Sequence, residues 1–203
     1  MKNEMFDFYK FALQGALTNP LCADYKNEWR ACNGDKDKLV KLVMRQQSIP
    51  YFITHCNNGK GLSKEYILNE FGDYINGNKV IFDADGVKGY TYSLYVGYNG
   101  VCKPSEDVIA LMWCSYTDLE INTAKCPVIY VGCNSEVHVT LDGYNTPRFY
   151  LFDNSKLVID DANETCSIIV YSYNKDAIID GGKYCTTKSI KVFDKECIIH
   201  FLV

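Results

Sequence analysis

A pattern that recurs at one interval along a chain restricts its fold more than composition does, because each unit must bury its apolar side against the next. From Val128 to His200 this chain reads against itself in blocks of twenty. The blocks contain VIYVGCNSEVHV, RFYLFDNSKLVI, IIVYSYNKDAII and IKVFDKECII. Asn134, Asn154 and Asn174 stand in one column, with Asp194 in the fourth place. Val137, Leu157, Ala177 and Cys197 form a second column, and Val139, Ile159, Ile179 and Ile199 a third. A period near twenty is the length of one coil of a β-solenoid. Each coil then holds two short strands around a polar corner. Asparagine tolerates the left-handed backbone such a corner needs, and amides stacked about 4.8 Å apart can bond to one another as a ladder. DLEI (118–121) stands about eighteen residues before EVHV, so the repeat is expected to begin one coil earlier.

On the second strand of each block, alternation turns the two apolar columns inward and His138, Val158, Ile178 and Ile198 outward. Three of these four are apolar, and such a stripe predicts a cover, either the N-terminal region or another copy of the chain. The chain runs on to Phe201, Leu202 and Val203 with no polar residue after them. A bare sheet edge of this kind invites pairing. The expected interface is therefore Val158, Ile178, Ile198, Phe201, Leu202 and Val203. Tyr130, Tyr150, Tyr171 and Tyr173 cluster on the first strand of successive blocks. Their spacing leaves open which of them face outward.

Ahead of the repeat the periodicity is helical. Phe6, Tyr9, Leu13, Ala16 and Leu17 fall on one face over residues 4–17. Asn19-Pro20 starts a second helix that stops at Asn33-Gly34, and Asp35 opens a third that runs to about Gln47. Ser63 is placed to cap a helix that ends at Phe71-Gly72. The fold class is thus α+β: a small helical domain over 1–75, then a β-solenoid domain over 76–203 with clean repeats at 128–200. Residues 79–127 read as less regular first coils.

The net charge of −4 and pI near 5.4 exclude a general nucleic-acid binder, which needs a basic field. Residues 1–75 carry ten Lys/Arg against nine Asp/Glu, and the remainder eleven against sixteen, so the acidic excess lies in the β region. No run approaches the roughly 18 apolar residues of a membrane span. Glu4 and Asp7 stand where a secretion leader would be basic, so no signal peptide is read. Ten cysteines without CxxC or zinc-finger spacing read as reduced, small apolar fillers.

Few residues suggest chemistry. Asp160 and Asp180, with Asp161 beside the first, would stand one coil apart in a twenty-residue register. Stacked carboxylates about 5 Å apart are the acid and nucleophile of a retaining glycosidase, although aspartate after a strand is equally a turn former. No basic residue recurs beside the pair. His55-Cys56 has adjacent rather than facing partners, and His138 and His200 lie too far apart for a metal set. Gly59-Lys60-Gly61 lacks phosphate-loop spacing, and Asp83-Ala84-Asp85-Gly86 lacks the glutamate a calcium loop needs. The expectation is no catalytic residue, no metal and no cofactor. Tyrosine rows can stack sugar rings, which leaves a glycan as a candidate ligand.

The stacked blocks of 111–200, with their Asn134/Asn154/Asn174 ladder, resemble the β-helix superfamily, which includes pectate-lyase-like enzymes and the shafts of phage fibres and tailspikes. A compact helical head before a short solenoid is similar to small virion appendage proteins of tailed phages. The Cys-, Tyr-, Asn- and Lys-rich composition is similar to that of phage and prophage proteins of gut Bacteroides-like hosts. The resemblance implies a non-enzymatic fibre or adaptor subunit, assembled in a bacterial cytoplasm. Its partners would be copies of itself, as in a trimer, and other virion proteins. The alternative is a glycan-binding or polysaccharide-cleaving protein that uses the Asp160/Asp180 face. Pectate-lyase-like enzymes gather acids with Arg or Lys on one face, and this chain shows no such cluster.

Overall fold

The computed structural model describes residues 23–43, 49, 52–53, 56, 63–71, 79–83, 91–103, 108–121, 127–143, 146–161, 166–172, 177–181 and 190–193. The helix expected over 4–17, the cap at Asn19-Pro20, Asn174, Asp194, Ile198 and Phe201–Val203 lie outside them.

Three helices are described before the strands. α1 (Ala23–Cys32) stops where Asn33 and Gly34 take positive φ of 45° and 80°. The side chain of Asp35 accepts the Lys38 amide at 3.2 Å and so caps α2 (Lys36–Val43). Ser63 caps α3 (Lys64–Glu70) as its position predicts, accepting the Tyr66 amide at 3.1 Å, and Phe71 closes the helix through Ile67 O. YFITHC, which reads as an apolar segment, is helical at Phe52, Ile53 and Cys56.

The remainder is a β-solenoid of two sheets, each strand bonded to its counterpart one coil away. Sheet A takes β1 (Lys79–Asp83), β2 (Thr91–Val96), β4 (Val108–Met112), β6 (Val128–Gly132), β8 (Arg148–Leu151), β10 (Ile168–Ser172) and β12 (Ile190–Phe193), in that order. Sheet B takes β3 (Gly100–Cys102), β5 (Thr117–Ile121), β7 (Glu136–Leu141), β9 (Lys156–Asp161) and β11 (Ile179–Asp180). All described pairs are parallel except β1 with β2. β1 is therefore an antiparallel edge strand on sheet A rather than part of an irregular first coil. The regular turns are β4–β5, β6–β7 and β8–β9, whose pairs Leu111↔Val131↔Leu151 and Leu119↔Val139↔Ile159 all step by 20.

Beyond those turns the interval changes. Leu157 pairs with Ile179, a step of 22, so Ala177 and Ile179 move out of the columns predicted for them. DLEI is likewise displaced: Asp118 pairs with His138 and Leu119 with Val139, a step of 20 rather than eighteen. A parallel coil can absorb extra residues in its turns while its strands keep their bonds, so a constant interval is not required of it.

The two sheets are buried differently, and their sequences say why. The central strands of sheet A are apolar runs: VIALM of β4 is buried at every position, and VIYVG of β6 at all but the first. Their inward residues Ile109, Ile129, Phe149 and Val170 meet Leu119, Val139 and Ile159 of sheet B inside the coil. Their outward residues Ala110, Met112, Tyr130 and Tyr150 share a second cluster with Leu39, Leu42, Ile53, Ile67 and Phe71. Both faces of sheet A are thus dry, and the helical segment supplies the outer cover. Sheet B alternates, with EVHVTL and KLVIDD buried only at every second residue. Alternation of this kind marks a sheet with one wet face.

Phe149 lies fully inside the coil, whereas Val158 is half-exposed on sheet B. Truncating Phe149 to alanine should cost about 3–5 kcal/mol. Val158→Thr should stay within about 0.5 kcal/mol. Urea unfolding followed by circular dichroism compares the two, and equal losses would contradict this division of faces.

Candidate functional site

The outer face of sheet B is where polar side chains gather on a rigid support. Strand pairing sets its rows. One row runs Val101, Asp118, His138, Val158 and Asp180 across five strands. The next runs Glu120, Thr140 and Asp160, with the Lys103 ammonium 2.6 Å from Glu120. On the other side Glu136 pairs with Lys156, and their charged groups stand 3.0 Å apart.

His138 is the centre of this surface. Its Nε2 lies 2.8 Å from Asp160 Oδ2 and its Nδ1 3.4 Å from Asp118 Oδ1. The imidazole thereby ties β5, β7 and β9 together on their solvated side. Both ring nitrogens face carboxylates, so neither is placed to take a proton from the neighbouring Thr140 hydroxyl. A nucleophile–base pair requires such a free nitrogen. His138 side-chain exposure is 45%, and a partly exposed polar contact of this type contributes only about 0–1 kcal/mol.

The acid pair expected from the sequence does not form in register. Asp160 stands beside Thr140, and Asp180 stands beside Val158, because the last described coil of sheet B steps by 22. The apolar stripe changes for the same reason, and Asp180, not Ile178, is the neighbour of Val158. Ile178 is 59% exposed and Val158 half-exposed, so this stripe has no cover among the described residues. Asp161 points inward from the column of Ile121 and Leu141. It is fully buried, and its Oδ2 accepts the Cys166 amide at 2.7 Å while Oδ1 has no hydrogen-bond partner.

The tyrosine row faces outward on sheet A, under the helical cover. Tyr130, Tyr150 and Tyr171 stack at centroid separations of 5.0 and 4.9 Å, with interplanar angles of 24° and 20°. They are 3%, 9% and 8% exposed, so their faces are not open to a sugar ring. Burial, then Tyr171, raises the Tyr150 phenol above its ordinary range.

The corner between the sheets holds polar contacts that the columns did not foretell. Asn134 has a φ of 54°, as a corner asparagine should, beside Cys133 at 58°, and in the next coil the counterpart of Cys133, Asp153, is left-handed at 51°. The bonds run through the residue after each asparagine. Ser135 Oγ accepts the Cys114 amide at 3.1 Å, and Ser155 Oγ accepts the Ser135 amide at 3.0 Å. Ser155 donates in turn to Asp153 Oδ1 at 2.8 Å, and the Asp153 carboxylate also receives the Asn134 amide. The shared dipeptide Asn-Ser at 134–135 and 154–155 was the available signal. Cys32, Cys56, Cys114, Cys133 and Cys166 are buried free thiols, in keeping with their reading as apolar fillers. His55, Gly59–Gly61, Asp85 and His200 lie outside the described residues.

No family model matches the chain, and no curated protein or solved structure matches it.

Three outcomes follow. His138→Ala should shift stability by less than about 1 kcal/mol. Ser135→Ala leaves the buried Cys114 amide without its acceptor and should cost about 1–3 kcal/mol. Differential scanning calorimetry ranks the pair, and a larger loss for His138 would make the imidazole the principal tie. Burial also raises the thiols of Cys114 and Cys133 above the ordinary range. Above about pH 8.5 an unfolded thiol gives up its proton while these keep theirs. The unfolded chain then binds fewer protons, so stability falls. The urea midpoint should be constant up to about pH 7.5 and decline steadily above about 8.5, and a rise would contradict the sign.

Proposed function

We propose that this chain is a non-enzymatic structural module that docks onto another protein through the outer face of sheet B. The observation that carries the reading is that the two faces available for contact are treated differently. The helical segment covers sheet A, while sheet B presents Ile178 at 59% and Val101 at 50% exposure beside charged rows. Apolar groups of this size on an otherwise charged face favour contact with a partner. Two further features favour docking over catalysis. His138 Nε2 is engaged by Asp160 while its Nδ1 faces Asp118, and Asp160 is paired with it instead of standing against Asp180.

The virion-appendage role belongs to this proposal and rests on the layout of a helical segment followed by a solenoid. In that setting the module is a fibre or adaptor subunit with other virion proteins as neighbours. Self-association is a second reading, favoured by the exposure of Ile178 at the end of sheet B.

Light scattering on the purified protein, together with incubation on a panel of polysaccharides, tests both. The expected result is a monomer without polysaccharide cleavage. Cleavage that disappears in Asp160→Asn overturns the structural reading. A stable oligomer that dissociates in Ile178→Asp replaces the foreign partner with a second copy.

A further inference from the structure

We infer that the carboxylate of Asp161 holds a small, oxygen-seeking metal cation inside the coil, at the end of β9. The site is separate from the docking face and does not depend on it. Strand pairing puts Asp161 in the inward column of Ile121 and Leu141. The two preceding coils fill that place with aliphatic side chains, and this coil fills it with a carboxylate. Asp161 is 0% exposed. Asp160 beside it faces the other way and is engaged by His138.

The two oxygens of Asp161 are treated differently. Oδ2 accepts the Cys166 amide at 2.7 Å, and Oδ1 has no hydrogen-bond partner. No lysine, arginine or histidine among the described residues forms an ion pair with either oxygen. A charge carried out of water costs far more than a neutral polar group, so buried charges are paired or coordinate metals. One neutral amide does not balance a carboxylate. A water at Oδ1 would satisfy its lone pair and leave the charge. A proton on Oδ1 would have no acceptor to donate to. A metal ion answers both needs, because it brings a counter-charge directly to that oxygen.

The surroundings select the kind of ion. Cys166 links the carboxylate to the turn of the preceding coil: its amide binds Asp161, and its sulfur lies 3.3 Å from the Gly143 carbonyl oxygen. Gly143 has a φ of 99°, and a Cβ there would meet no atom within 4 Å, which leaves room beside this turn. Carboxylate and carbonyl oxygens are hard donors. Soft and transition metals prefer thiolate and imidazole, and among the described residues no three His, Cys, Asp or Glu side chains gather as a ligand set. Magnesium keeps several of its waters, which a fully buried carboxylate does not accommodate. Calcium would set two positive charges against one negative. Charge balance favours a monovalent ion, sodium or potassium, whose hydration shell backbone carbonyls can replace. Bound there, the ion fastens the exit of β9, where the interval of 20 gives way to 22.

Thermal unfolding of the full chain tests the inference, followed by circular dichroism in the chlorides of choline, sodium, potassium and calcium at matched ionic strength. Choline is too large for the site and controls for screening. Sodium or potassium at about ten times its dissociation constant should raise Tm by about 3–6 °C over choline. Asp161→Asn keeps an oxygen for the Cys166 amide and removes the charge. It should match or exceed the unmodified chain in choline and respond to neither metal. Asp161→Leu, which continues the column of Ile121 and Leu141, should lose the response in the same way. A calcium response that both variants abolish keeps the site and makes its ion divalent. Equal Tm in all the salts overturns the inference. An ion response that survives in either variant overturns it as well, since the ion then binds elsewhere.

Discussion

A parallel solenoid depends on one constraint: each coil must bring the chain back to the same place, because every strand finds its hydrogen-bond partners one coil away. Here the return is held at a buried corner. The amide of Cys114 bonds to the hydroxyl of Ser135, and the amide of Ser135 to the hydroxyl of Ser155. Each link uses a backbone donor that has left one strand and has not entered the next. Buried donors of that kind are costly without a partner. The serines are 1% and 0% exposed, so water cannot substitute for them. With the corner closed in this way, Leu111, Val131 and Leu151 fall into line on one sheet and Leu119, Val139 and Ile159 on the other.

The filled coil then decides what each surface can do. Sheet A is apolar on both sides and requires a second layer, which the residues of α2, α3 and the Ile53 segment provide. Sheet B is apolar on one side only and remains open. The result is a slab with one covered and one exposed face, in which the exposed face alone combines rigid spacing with charge. His138 shows how the spacing acts. Its neighbours Asp118 and Asp160 are 20 and 22 positions away in sequence, yet strand pairing brings both to its ring.

Several elements are legible in the order of residues alone. The Ser63 cap, the Asn33-Gly34 stop and the strand pairs between the turns β6–β7 and β8–β9 follow from local chemistry and from an interval that repeats. The cysteines read as buried fillers for the same reason that valine and alanine do. The polar corner was legible as a place: the asparagines draw attention because they repeat, and the serines beside them accept the backbone amides of the corner. The helical cover lies on the first-strand sheet. Val158 and Ile178 suggested an outer stripe on the second strands, but the stronger signal was the unbroken apolar run of the first strands, VIALM and VIYVG, against the alternation of EVHVTL.

The period, the parallel stacking that a period near twenty demands, and the side of each second strand that faces the core are all written in the order of residues, because they follow from alternation and from similar units packing on one another. The register of the last coils emerges only when the strands pair. There Leu157 meets Ile179 rather than Ala177, because a turn can lengthen by two residues while the strands on either side keep their bonds. That shift of two positions separates Asp180 from Asp160 and sets it in the row of Asp118 and His138. A carboxylate pair that suggested hydrolysis is divided between two rows of one face, since neighbours across a sheet are chosen by hydrogen-bond register and not by distance along the chain.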